Sequence, residues 1–201
     1  MSKLVYGKGF NDKTKPTWVD GKRVKEYDLW HDMLKRCFSE KYQTLYPTYK
    51  GCNVSDNFLH YSFFYDWCQE QIGFGKVDEK GRSWCLDKDL LFIGNKTYSE
   101  TACVFVPHEI NLFFTDRGND RGEYPVGVCF HKQKGKFVAR CKVNSKQQHL
   151  GHFNTQQEAF AVYKPFKENL CKQLALKWQT EIDERLFNAM MSWQVLYEKD
   201  Y

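Results

Sequence analysis

A mixed α+β architecture in two modules is what the 201-residue chain predicts, and a change of periodicity along it carries that prediction. Up to residue 118 apolar residues recur mainly at helical spacing, with two short apolar runs between them. After residue 124 three short strand-like segments separated by turns precede a capped helix. With 42% hydrophobic and 17% aromatic residues, the chain has apolar surface for real cores without covalent staples.

Residues 1–25 are polar, rich in glycine and lysine (Lys3, Lys8, Lys13, Lys15, Lys22, Arg23, Lys25) and aperiodic, and read as a basic flexible arm. The first module spans 26–118. In it Tyr27, Trp30, Leu34, Cys37 and Phe38 share one face of a helix over 26–38. The turn YPTYKGCNVSDN follows, where Ser55 or Asp56 caps a second helix bearing Phe58, Tyr61, Phe64, Cys68 and Ile72 on one side. Gly73 and Gly75 end it. Residues 84–93 and 103–106 are strand candidates, and Pro107 suits the first turn of a short helix, HEINLFF.

The charged link TDRGNDRGEY marks the boundary to the second module, over 124–164. Its strand candidates are 126–130, Lys136–Val143 and 149–153, and Thr155 opens a helix through Tyr163. Pro165 restarts the chain into a helical tail over 165–201. There Ile182, Leu186, Met190, Trp193 and Leu196 form a stripe that packs on a core or seams a dimer, core packing being the commoner fate.

None of the eight cysteines forms a C-x-x-C pair and most lie in apolar runs, so they read as reduced, buried thiols, and no zinc is expected. No signal-peptide core and no apolar stretch of bilayer length occurs, so the expectation is a soluble protein of the cytoplasm without a membrane partner. The net charge of +5 says little by itself. Its distribution says more: between Tyr124 and Tyr163 six cations (Lys132, Lys134, Lys136, Arg140, Lys142, Lys146) face the single acid Glu158, leaving the rest of the chain near neutral. In Lys136–Val143, Phe137, Ala139, Cys141 and Val143 share one face, and Lys136, Val138, Arg140 and Lys142 the other.

The series GVCFHKQKGKFVARCKV, HLGHF and NTQQEAFAVY resembles the APETALA-type (ethylene-response-factor) DNA-binding domain at all four of its elements, over about a fifth of the chain. The resemblance implies a three-stranded sheet that enters the major groove of double-stranded DNA with a helix packed behind it. By position it implies DNA contacts from Cys129 or His131, and from Lys132, Lys134, Arg140, Lys142, Gln147, His149 and His152. Physical chemistry agrees, since a β-ribbon fits the major groove, Arg140 can bond a guanine edge and lysines neutralise phosphates. Lys134 and His149 stand where the family often has aromatic side chains, so its usual target is not carried over.

Upstream, LDKDLLFIGNKTYSETACVFVPHEIN, with the lead-in segments YDLWHDMLKRC and NFLHYSFFYDW, resembles phage HNH endonucleases of the homing type. For a phage-encoded chain the compartment is the host cytoplasm. That resemblance implies a ββα core and metal-dependent phosphodiester cleavage, with Mg²⁺ or Mn²⁺ as cofactor. Asp87 matches the metal carboxylate, but Lys88 stands at the general-base histidine and Ala102 at the second-strand asparagine. Asp89, Asn95 and Asn111 are substitute metal ligands, and His108 with Lys88 the catalytic candidates. The plainer alternative is that Asp87 and Asp89 bracket a strand end, Asn95 sits in a Gly-Asn turn and His108 begins a helix.

Two functions are therefore expected: sequence-directed DNA binding joined to HNH-type cleavage, or DNA binding by a non-catalytic protein on a retired HNH scaffold. A structural protein with an incidental basic sheet is the third class.

Overall fold

In the computed structural model, which describes residues 4–115, 123–143 and 146–197, the chain separates into two compact units. One is Met1–Leu112 with Thr180–Leu186, the other Phe113–Gln179 with Phe187–Tyr201. Most of the charged link read at 115–124 lies outside the described residues. Among them no helix is long and apolar enough to cross a membrane.

The stretch read as an arm is built into the first unit from residue 4 onward. Asp20 and Gly21, both at positive φ, turn the hairpin of β1 (Trp18–Val19) and β2 (Lys22–Arg23), a conformation that an Asp-Gly pair adopts readily. Gly9 lies so close to the Trp30 and Leu34 side chains that no larger residue fits. Composition signalled mobility, but contacts made from residues far along the chain hold this segment. Helix α1 (Lys25–Phe38) buries Trp30, Met33, Leu34 and Cys37, with Glu26 and Asp28 in its first turn and Lys35 and Arg36 in its last, as the helix dipole favours. Ser39 caps α2 (Glu40–Leu45).

β3 (Asn53–Val54) leads to the second expected helix, which is broken into α3 (Asp56–Leu59), capped by Ser55, and α4 (Tyr61–Glu70). His60 at the break is extended, and the flanking backbone bonds Phe10: Phe10 N–H donates to Leu59 O at 2.8 Å and Tyr61 N–H to Phe10 O at 3.0 Å. A strand-like partner in the amino-terminal segment thus competes with helix continuity. The aromatic face persists across the break, burying Phe58, Tyr61, Phe64 and Trp67, whereas Ile72 lies beyond the helix and is exposed.

Of the strand expected over 84–93 only β4 (Cys85–Asp87) forms. Asp87 Oδ1 accepts the backbone N–H groups of Asp89 and Leu90, both at 2.9 Å, and this Asx-type turn takes the chain out of pairing. β5 (Thr97–Tyr98) runs parallel to β3, β6 (Val104–Val106) antiparallel to β4, and α5 (His108–Phe114) follows at once.

The second unit holds an antiparallel sheet in the order β7 (Val128–His131), β8 (Lys136–Val143), β9 (Lys146–Phe153). A short 3-10 turn, Lys132–Lys134, joins the first two, closed by Gly135 in the left-handed region. Helix α6 (Gln156–Trp178) opens with a full capping box between Thr155 and Glu158. Ala139 and Cys141 of the sheet meet Ala159, Phe160 and Tyr163 of α6 in one core, joined by Val195 and edged by Phe137, Leu150, Phe166 and Leu170. Contrary to the restart expected at Pro165, α6 passes through it. The proline forfeits one backbone bond, but Phe160 and Tyr163 before it and Phe166 and Leu170 after it join the same core, which outweighs that loss. The tail closes with α7 (Glu184–Ser192), and of its stripe Ile182, Leu186 and Met190 are buried while Leu196 is exposed.

Candidate nucleic-acid interface

Strand pleating divides the residues of β8 between two environments. Ala139 and Cys141 are buried on the α6 side, while Arg140 and Lys142 are exposed on the other. Cross-strand register then decides which neighbours join them. Cys129 stands opposite Val138, His131 opposite Lys136, Val138 opposite His152, Arg140 opposite His149, and Lys142 opposite Gln147.

That register contains a shift between Ala139 and Arg140, because Ala139 pairs with Gly151 and Arg140 with His149, leaving Leu150 as the extra residue of a bulge. Leu150 packs with the core. Without the bulge, alternation would place Leu150 beside Arg140 on the open face and turn His149 away. Gly151 makes the bulge possible, since its φ of +145° is one that residues with a Cβ rarely adopt.

Cys129, His131, Lys134, Arg140, Gln147, His149 and His152, all sequence-predicted contacts, line one open concavity of about 390 Å³ whose floor includes the buried Val138. Lys132 in the turn and Lys142 beyond Arg140 are exposed outside its lining. The sequence-based reading named the three histidines singly and missed that they meet. The ring centroids of His149 and His152 are 4.6 Å apart, those of His131 and His152 6.0 Å, and Lys134 Nζ lies 3.2 Å from His152 Nε2. Desolvation, then the neighbouring Lys134, His149 and His131, hold His152 below the ordinary histidine value. Their spacing in sequence carries no signal of this contact, because it depends on the bulge and on the turn at Gly135.

In the first unit the candidate catalytic and metal residues are placed differently. Asp87 ends β4, and burial with the adjacent Asp89 pushes its carboxyl up to about 6. Lys88, only 8% exposed, donates to Asp89 Oδ2 at 2.9 Å, an ion pair that keeps its ammonium charged. Asn95 spends its side-chain amide on the backbone: Nδ2 donates to Lys88 O at 2.6 Å and to Thr97 O at 2.7 Å, and Oδ1 accepts from Thr97 N–H at 3.2 Å. Asp87 is paired with Val104, whereas β6 leaves the ribbon toward Pro107 and His108 from the Val106–Cys85 end, so Asp87 and His108 stand at opposite ends. Asn111 lies one turn further into α5.

As placed, this donor set does not fit a divalent ion. Asp87 and Asp89 lie two residues apart, but Lys88 already neutralises Asp89, Asn95 Oδ1 already accepts from Thr97 N–H within its own turn, and His108 belongs to the other end of the ribbon. Arg36 Nη1, 3.5 Å from Tyr98 Oη, adds a half-buried cation near the β3–β5 pair.

No family model, curated protein or solved structure matches the chain.

Proposed function

We infer that the chain binds double-stranded DNA through the open face of β7, β8 and β9, and that it does so without cutting it. The observation that carries this reading is the two-sidedness of the sheet. One face is closed by α6, and the other gathers Arg140, Lys134, Lys142, Gln147 and three histidines around a concavity with no carboxylate in its lining. Such a sheet matches the width of the major groove, where Arg140 offers a bidentate donor to guanine and the lysines offer charge to phosphates. Gln147, opposite Lys142, adds a side-chain amide of the kind that reads adenine.

Cleavage has weaker support, because the groups that HNH chemistry would use are committed elsewhere: Lys88 to Asp89, Asn95 to its own turn. The same scaffold serves a binding protein equally well.

The test is titration of labelled duplex DNA across a range of salt, alongside incubation of supercoiled DNA with Mg²⁺, Mn²⁺ or chelator. A protein that neutralises three or more phosphates gives a log–log salt slope of roughly −3 or steeper. A flat salt response removes the DNA reading. Metal-dependent nicking that Asp87→Ala abolishes would restore the nuclease.

A further inference from the structure

We propose that His131, His149 and His152 form a proton-coupled phosphate contact, so that this face holds a DNA backbone more tightly as the pH falls through the histidine range. The inference rests on the DNA reading of the sheet and adds its regulation.

The three rings converge from two strands, β7 and β9, at centroid separations of 4.6 and 6.0 Å, close enough for one anion to bridge neighbouring rings. Lys134 Nζ stands 3.2 Å from His152 Nε2. An ammonium only donates, so in this arrangement that nitrogen keeps its lone pair and His152 is neutral. His131 Nδ1 is shielded from solvent and has no hydrogen-bond partner among the described residues.

The charged surroundings have one sign. The turn after β7 brings Lys132 and Lys134, β8 brings Lys136, Arg140 and Lys142, and β9 brings Lys146. The acids of the surrounding elements are elsewhere. Glu158 accepts the backbone N–H groups of Asn154 and Thr155, Glu168 is bound to Lys164 and to Val195 N–H, and Glu123 precedes β7. Helix α6 packs against the opposite face of the sheet. Among the described residues no carboxylate pairs with any of the three rings, so an anion on this face would come from a ligand.

A phosphodiester is such an anion. Its oxygens compete for Lys134, which frees His152 Nε2 to take a proton, and they accept from the imidazolium N–H groups that result. Binding then takes up protons from solvent. By linkage the affinity rises as pH falls, by up to about one log unit per pH unit for each proton taken up.

The experiment measures the affinity of the full chain for a fixed duplex at constant ionic strength, from about pH 8 to about pH 6, which spans the ordinary histidine value. The wild type is expected to gain roughly tenfold or more. His149→Gln/His152→Gln, which replaces two exposed rings of the binding face, is expected to gain less than about threefold over the same acidification, whatever its affinity at about pH 8. His31, His60 and His108 remain in that variant as an internal control. Calorimetry in two buffers of different ionisation enthalpy should show proton uptake that the variant loses. DNA binding with no pH dependence, or a dependence that the variant retains, overturns the proposal while leaving the DNA reading intact. Absence of binding at every pH removes both.

Discussion

Gly127 lies flat against the ring of Tyr163, so close that a Cβ at position 127 would overlap the ring's Cδ2, Cε2 and Cγ atoms. The same glycine has φ +77°, and its carbonyl accepts the N–H of Arg140 at 2.9 Å. One residue thus seats α6 under the sheet and holds the backbone of the candidate base-reading arginine itself.

Gly127→Ala should therefore destabilise the second unit by about 2 to 4 kcal/mol, through overlap with a packed ring and a disfavoured φ together. Urea denaturation monitored by aromatic fluorescence measures this. A change within about 0.5 kcal/mol would mean that Tyr163 moves aside freely.

The bulge on β9 separates stability from recognition. Leu150→Ala removes a core side chain and should cost about 1 to 3 kcal/mol of stability with little effect on DNA affinity in the folded protein. Gly151→Ala meets both an unfavourable φ and the Phe153 ring at 2.8 Å, so it should lower stability and also displace His149, weakening DNA binding. Equal effects of the two on affinity would contradict the role given to the bulge.

Asp87 sets a pH dependence whose sign is unusual for a carboxylate. Its pKa is raised in the folded chain to about 6, so between roughly pH 4 and pH 6 the native state binds more protons than the unfolded state. Its contribution is present below the unfolded value and is lost as pH rises through the folded one. Asp87→Asn keeps an oxygen that can accept from Asp89 and Leu90 and removes the charge. The variant should be more stable than the wild type at pH 7 by about 1 to 2 kcal/mol, after allowance for solvent screening, with the gain vanishing near pH 4. Thermal melts of both proteins across that range decide it, and a variant less stable at pH 7 would show that the carboxylate is needed there.

Arg140 and Lys142, two residues apart on the same face, are assigned different work. Arg140→Ala should lose about 1 to 3 kcal/mol on the preferred sequence and little on random DNA, relaxing site choice. Lys142→Ala should weaken both equally and reduce the salt slope by about one. Selection of bound sites from a random library by each variant distinguishes them.

The alternation in Lys136–Val143, the Thr155 and Glu158 capping pair and the aromatic helix face from Tyr27 to Phe38 were legible from residues alone, because each is a local pattern with a period that matches its element. Most of the residues lining the concavity could likewise be named beforehand. That His131, His149 and His152 touch could not, since it follows from a register shift, and register is settled by which residues the core accepts. The same holds for Gly9 beneath Trp30, for the helix that runs through Pro165, and for Lys88 and Asn95, whose polar groups are consumed by partners at the end of β4 and in its loop. Local sequence determined the elements and the faces they offer. Which face closed, which side chains met, and which chemistry was thereby used up were decided by long-range packing, whose energies outweigh any one residue's preference.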